Sequence, residues 1–375
     1  MLKKSPLYAL HQQIGAHFTA FGGWEMPLRY VGEIAEHQAV RQRVGLFDLS
    51  HMGEILVRGP EAFNFLQYML SNDLRKVQVG RAQYTFLLNV SGGVIDDLIV
   101  YQLEPELFLL VVNAANTSKV VEWLQEHLPS EGVSLEDISE ETVLLALSGP
   151  LSTEVLSSFV KEVRLGELPY YAFTRGKVGE IPDVLIATTG YTGEWTYELF
   201  VRLDWGEKLW QMLLEWGGGR AVQPAGLGAR NTLRLEMGYL LCGVDMDETI
   251  SPLEAGAAWA VKLDKGDFIG RSALQRQKAK GLERRLVGLL SESSRVIPRN
   301  GMPLLNEGGE VVGRITSGSL SPSLQRGVAL GYLPPSYSYG DKVYISLRGQ
   351  LVPLKITSTP FVTETSLSRR QKARL

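Results

Sequence analysis

The pair Asp96-Asp97 is the first place in this chain where side chains of the right type sit in a position to do acid–base chemistry. It follows Gly92-Gly93 and enters the strand-like run LIVY. Side chains alternate along a strand, so two adjacent aspartates cannot share a face. One of them is expected to face solvent or cap the turn, and the other to point toward the core side. A carboxylate there is partly desolvated, which suits a general base or a stabiliser of a nascent cation. A plain turn-closing pair fits the same spacing. The next candidates are Arg230 and Arg234 in GLGARNTLRLE, four residues apart on a helix that follows Pro224 and two glycines. They share one helix face, as an anionic ligand needs, although arginines so placed also serve as ion-pair partners of acidic neighbours. Asp245, Asp247 and Glu248 in VDMDETI resemble a cation loop but lack the glycine and distal glutamate of an EF-hand, so a solvated acidic turn is expected.

Several common chemistries lose their support. No strand is followed by GxGxxG and a helix, and neither a Walker A loop nor a GxSxG elbow is present. The five histidines include no HExxH pair. A single cysteine, Cys242, can form neither an internal disulfide nor a zinc site of several thiolates. Carboxylates, arginines and aromatics are left to carry whatever chemistry there is.

The elements that must position these groups follow from the pattern. The chain has 375 residues, long for one core, with 45% apolar and 21% charged residues. That is the balance of an ordinary globular protein and excludes a disordered or collagen-like one. A net charge of −3 gives no bulk electrostatic reason to expect nucleic acid. Apolar runs are far below the roughly 18 residues of a membrane span, and MLKKSPLYALH has no signal-peptide core. The expectation is a cytoplasmic protein in a reducing compartment. Two segments share one grammar. EILVR (54–58) runs into Gly59-Pro60 and a helical pattern, and VLLAL (143–147) runs into Gly149-Pro150 and another, about 90 residues later. Each copy continues through strands to a closing helix, TSKVVEWLQEHL or WGEKLWQMLLEW, which predicts a duplicated ferredoxin-like α+β unit. The copies differ at one hairpin. It is short at Leu103-Glu104-Pro105 and expanded at Gly190–Thr196, and such insertions are where pockets are built. From about Gly281, strand-like runs punctuated by NG, GG, PP and RGQ predict a small all-β domain. The terminal SLSRRQKARL is expected to be a frayed, solvated tail.

At these residues the sequence resembles the T-protein of the glycine cleavage system, a tetrahydrofolate-dependent aminomethyltransferase. The resemblance runs end to end through FGGWEMPLRY (21–30), VGLFDLSHMGEI (44–55), GGVIDDLIVY (92–101), VVNAAN (111–116), TGYTGEWTYEL (189–199), PAGLGARNTLRLE (224–236), ISPLEAG (250–256) and ITSGSLSPSL (315–324). It implies an α+β protein built as a three-domain cloverleaf around a central folate channel. Residues 1–50 with 145–245 would form the first α+β lobe, 51–144 with 246–280 the second, and 281–375 a barrel- or jelly-roll-like β domain. Carried over residue by residue, the family's essential carboxylate matches Asp97, its pterin-contacting glutamate Glu198, and the arginine of its GAR motif Arg230. Tyr84, Tyr101, Asn113, Met52 and Tyr171 fall where the family lines its folate cavity.

The implied reaction transfers the methylene carbon of an aminomethyl group from the lipoyl arm of a separate H-protein to N5 of tetrahydrofolate, releasing ammonia. A nucleophilic nitrogen must stay unprotonated beside a carbon that carries positive charge, and a fixed carboxylate such as Asp97 meets both needs. The resemblance implies folate and H-protein as partners, with no nucleic acid, membrane, metal, flavin or nicotinamide involved. The chain departs from the pattern twice. Thr188 stands where the family usually has arginine, and the segment after Pro360-Phe361 lacks the family's aromatic ending. Three relatives on the same fold compete. A folate-binding maturation protein would carry KGCYxGQE, where this chain reads LDKGDFIGRSAL (263–274) without cysteine. A sarcosine-type oxidase module would be fused to a flavin domain. A folate-dependent demethylase is separated only by the completeness of the T-protein motifs.

Overall fold

A computed structural model describes residues 1–373. The described chain forms two compact units, residues 1–87 with 96–230 and the segment from Thr365 on, and residues 88–95 with 231–364. Among the described residues no helix is long and apolar enough to cross a membrane.

The first unit contains, besides a small three-stranded sheet, two larger sheets whose strand orders match. In one, the order is Ala82–Leu88, Val94–Glu104, Leu107–Val112, Gly53–Arg58, Ser134–Asp137. In the other it is Phe173–Val178, Ile181–Ala187, Thr196–Arg202, Thr142–Ser148, Gly45–Asp48, Gln223–Pro224. In each sheet the strand that precedes the Gly-Pro turn pairs antiparallel with the last strand of its own copy. The repeated grammar in the sequence therefore becomes a repeated strand order. Gly59 and Gly149 at the two turns have φ of 131° and 139°, backbone that side-chain-bearing residues rarely adopt. A Cβ on Gly149 would lie 2.5 Å from the Arg43 carbonyl oxygen.

One face of the six-stranded sheet is closed by helices. Leu46, Val143, Leu145, Ile186 and Leu199 pack with Val155 and Leu156 of the helix Ser152–Phe159 and with Leu209, Trp210 and Leu213 of the helix Leu203–Glu215. The spacing 209, 210, 213 is the apolar stripe of an amphipathic helix. Contact is close enough that a Cβ on Gly206 would meet the Val143 Cγ2 at 2.5 Å. The opposite face, with Ala146, Ala187, Glu198 and Phe200, is left for other work.

Residues 365–373 are ordered, against the frayed tail the sequence suggested, whose last two residues, Arg374 and Leu375, lie outside the described residues. Ser366–Lys372 is a helix with a capping box, Thr365 accepting from the Ser368 N–H while Ser368 accepts from the Thr365 N–H. Its Leu367 is buried in the same core as the helices above.

The second unit contains the predicted all-β domain, a closed barrel in the order Arg285–Ser291, Arg326–Leu333, Val311–Ser321, Pro303–Leu305, Lys342–Leu347, Gln350–Thr357. Alternate residues such as Leu289, Ile315, Val343 and Leu354 fill its interior. A second correction falls here. Asp245 is fully buried rather than part of a solvated turn. It accepts from Arg234 at 2.7 Å, Thr316 at 2.6 Å and Ser317 at 2.7 Å, three partners that the sequence keeps 11 to 72 residues away. Arg234 also donates to Asn231 and to the Tyr239 carbonyl. Asp247 does close the turn, accepting from the Thr249 N–H and hydroxyl.

Removing one partner of a buried ion pair strands the other charge, so Asp245→Ala should cost about 3–5 kcal/mol. Glu283, whose pair with Lys280 is exposed on both sides, should leave stability nearly unchanged when changed to alanine. Urea midpoints of the two variants, measured side by side, check this contrast.

Candidate active site

The face of the five-stranded sheet that carries Asp97 is set by register. Val111 pairs with Ile99 on one side and with Glu54 on the other, and Leu109 pairs with Tyr101 and Leu56. Alternation along each strand then puts Asp97, Ile99 and Tyr101, Leu109 and Val111, and Glu54 and Leu56 on one face. Tyr101 joins this face to the free face of the six-stranded sheet. Its ring meets Phe173 and Phe200 edge-on at 5.8 and 5.7 Å, and its hydroxyl lies 2.9 Å from the Thr189 hydroxyl and 3.4 Å from Glu198.

Asp97 is half-buried and gripped from two sides. The Tyr84 hydroxyl donates to Oδ2 at 2.8 Å, and the Asn113 side-chain amide donates to Oδ1 at 2.9 Å. Burial, with the Asp97 charge second, holds the Tyr84 phenol well above its ordinary range, so it stays a donor. Asp96 departs from the expectation that one of the pair reaches solvent. It lies on the opposite face, fully buried, and accepts from the Asn113 N–H at 2.9 Å, the Asn113 side chain at 2.8 Å and the Asn116 side chain at 2.6 Å. It closes the turn after Leu107–Val112 rather than its own turn. Burial and then the Asp97 charge raise its pKa. Asn113 touches both carboxyls, which fixes the amide's direction toward Asp97.

Glu198 stands on the facing sheet, opposite Ala146 and Ala187 in register. Thr189 donates to it in a very short hydrogen bond. Burial raises its pKa, and Thr189, the Arg230 charge and Tyr101 act against that rise. Arg230 does not act with Arg234 on one face. Its guanidinium lies over the Tyr191 ring at 4.6 Å, while Arg234 is tied to Asp245. Tyr191 belongs to the expanded hairpin that the sequence singled out, and residue spacing alone gave no reason to name it.

The remaining predicted residues are placed less centrally. Tyr171 holds a left-handed backbone at φ 58°, a conformation that costs a bulky side chain energy. Its carbonyl accepts from the Ala82 N–H and its N–H donates to the Thr188 carbonyl, so the strained residue links the two sheets. Thr188, in the family's usual arginine position, is buried, and its hydroxyl lies 2.5 Å from the Pro169 carbonyl and 2.9 Å from that of Ala172. Here this residue holds the turn that presents Tyr171. Met52 is half-buried just before Gly53–Arg58, its N–H donating to the Leu49 carbonyl.

Sequence reasoning missed Glu54 and His51. Both carboxyl oxygens of Glu54 and the His51 Nδ1 are buried without a hydrogen-bond partner. Burial, then the charges of Asp137 and Glu198, push Glu54 well above its ordinary range, so it is a neutral acid. Burial and Arg230 push His51 down to about 4, so its ring is neutral as well. The run EILVR hides Glu54, because a glutamate at the start of a strand reads as a solvent-facing end. Only its register beside Val111 gives it away.

A buried acid whose pKa is raised by folding costs nothing below its unfolded value near 4.3 and destabilises progressively above it, by about 1.4 kcal/mol per pH unit. Glu54→Gln should therefore raise the thermal midpoint at pH 7.5 and leave it nearly unchanged at pH 4. A difference from wild type that stays flat with pH would contradict a neutral buried Glu54.

Comparison with known proteins shows the family of the chain. The GCVT N-terminal domain family matches residues 7–265, and the glycine cleavage T-protein C-terminal barrel domain family matches residues 284–363. The chain is 45% identical over 361 residues to an aminomethyltransferase of Desulfitobacterium hafniense strain Y51, covering 96% of this chain and 98% of that one. It is 43% identical over 362 residues to an aminomethyltransferase of Phocaeicola vulgatus, covering 96% and 99%. The crystal structure of glycine cleavage system aminomethyltransferase T from Bartonella henselae superposes with a TM-score of 0.90 at 36% identity, covering 96% of this chain and 98% of that one. A site built around a donor-held aspartate on one sheet and a buried glutamate on the facing sheet thus sits in a chain that belongs to the glycine cleavage T-protein family of aminomethyltransferases.

Proposed function

We propose that the chain transfers the methylene carbon of an aminomethyl group, carried on a lipoylated H-protein, to tetrahydrofolate with release of ammonia, and that Asp97 is its catalytic carboxylate. The observation that carries this reading is the Asp97 carboxylate, fixed by Tyr84 and Asn113 and facing the sheet that holds Glu198. The polar groups and aromatic rings on these faces suit a flat polar ring as ligand. Buried groups there, the Glu54 carboxyl and the His51 Nδ1, have hydrogen-bonding capacity to offer, and aromatic rings line the same faces. Tetrahydrofolate, when bound, supplies the nucleophilic nitrogen.

The chain's own residues supply the rest. Asp97, held as a carboxylate by two donors, stabilises positive charge developing beside it and can take a proton at either oxygen. Tyr84 and Asn113 keep it aimed without competing for the proton, because both are donors. Glu198, with Thr189 and Tyr101 fixed on it, offers an acceptor pair to a ring amide and its amino group. Arg230, Tyr191, Met52 and Tyr171 complete the proposed lining. Holding both substrates in one place removes the entropic cost of their encounter. The three-lobe division given from the sequence and a cytoplasmic location, with no nucleic acid or membrane partner, belong to this proposal.

Asp97→Asn keeps the shape and the Asn113 and Tyr84 neighbours but loses the charge. Its kcat for ammonia release from aminomethylated H-protein should fall by about 10²–10⁴, with the KM for tetrahydrofolate changed little. Turnover within a factor of a few of wild type would remove Asp97 from the chemistry.

A further inference from the structure

We propose that the segment Thr365–Lys372 is a clamp on the expanded hairpin, with Ser366 and Arg370 as positioning residues for ligand binding. The inference rests on the reading that this hairpin lines the folate site. The hairpin has two glycines and spans Gly190–Thr196 between the strands Ile181–Ala187 and Thr196–Arg202, so by itself it is a floppy connection. Three fasteners hold it.

Ser366 forms a closed circuit with it. The Trp195 N–H donates to the Ser366 hydroxyl at 2.8 Å, and that hydroxyl donates to Glu194 at 2.5 Å. The Ser366 N–H donates to the same carboxyl oxygen at 2.7 Å. Glu194 is buried, and its other oxygen accepts from Arg41 at 3.0 Å, with Arg41 also donating to the Thr192 carbonyl at 2.6 Å. The Arg370 guanidinium lies over the Trp195 ring at 3.9 Å and donates to the Thr153 hydroxyl at 3.0 Å and the Gly166 carbonyl at 2.8 Å.

What the clamp holds still is the far side of the same hairpin, where Tyr191 stacks on Arg230 and Thr189 is bonded to Glu198. Losing the Ser366 hydroxyl leaves the buried carboxylate short of one charge-assisted donor, and losing the whole segment leaves it short of two, which the hairpin can repair only by moving Glu194 toward water. A ligand would then meet the competent hairpin in only a fraction of molecules, and its apparent affinity would fall by that fraction. The chemistry at Asp97 would be unaffected once the ligand is bound.

The experiment compares wild type, a chain ending at Glu364, Ser366→Ala, Ser366→Thr and Arg370→Ala. The readouts are tetrahydrofolate KM and kcat, and amide hydrogen exchange across residues 189–196. The shortened chain and Ser366→Ala should raise KM about tenfold or more, keep kcat within about twofold, and speed exchange in the hairpin. Ser366→Thr, which keeps the hydroxyl, should restore KM, and a peptide of residues 365–375 added to the shortened chain should do the same. Should the shortened chain fail to fold, the three point variants decide. Unchanged KM and unchanged exchange in Ser366→Ala and Arg370→Ala overturn the clamp, as does a loss confined to kcat. If wild type itself shows no tetrahydrofolate turnover while the variants exchange the hairpin faster than wild type, the proposed function fails and the clamp's role in ligand binding is overturned with it.

Discussion

A carboxylate stays charged away from bulk water only where N–H and O–H donors are aimed at it, and most of the first unit can be understood as the apparatus for aiming two of them at Asp97. Tyr84 comes from the neighbouring strand and Asn113 from the end of the next one. Asn113 in turn is fixed by Asp96, so the buried member of the pair is spent on orienting the donor of the other. The alternation of a single strand makes this possible. One aspartate points into the supporting face and its neighbour into the working face, and the same amide reaches both.

The second sheet meets the same constraint with different parts. Glu198 is its central carboxyl, opposite Ala146 and Ala187 in register. It is held by hydroxyls from Thr189 and Tyr101 and lies in the field of Arg230. Acidic groups crowd both faces of the five-stranded sheet, and Glu54 on one face and Asp96 on the other are pushed toward the neutral form by burial and neighbouring charge. The cost of that crowding falls on folding, and the helix-packed face of the six-stranded sheet, with its large apolar cluster, is what offsets it.

Much of this was legible in the sequence. The duplication, the barrel and the expanded hairpin all follow from periodicity and turn residues, because those signals are local. Asp97, Glu198 and Arg230 were reached by resemblance, and the pattern of the strand alone left Asp97 and Asp96 undecided. What could not be read were partners distant along the chain. Asp245 looked like a solvent-facing turn residue because Arg234, Thr316 and Ser317 are brought to it only by folding. The end of the chain looked frayed for a related reason. A short polar helix has no periodic stripe to announce it, and its one buried leucine and its T-x-x-S cap are weak signals until Glu194 and Trp195 stand opposite. Glu54 was hidden by the opposite fault, a strand-end position that reads as exposed although its cross-strand neighbour is Val111.

Two sheets with one strand order carry a hazard during synthesis. A nascent chain that has made one copy offers edges onto which the other copy's strands could add in the wrong partnership, as happens in repeat proteins that misassemble or swap segments. The unequal hairpins work against this. A strand pair joined by Leu103–Pro105 cannot be exchanged for one joined across Gly190–Thr196 without stranding the hydroxyl cluster of Ser148, Thr192 and Thr196, whose oxygens lie 2.6 and 2.8 Å apart around Ser148. The longer loop thus gives each copy an identity of its own, and a difference of a few loop residues tells the folding chain which half it is building.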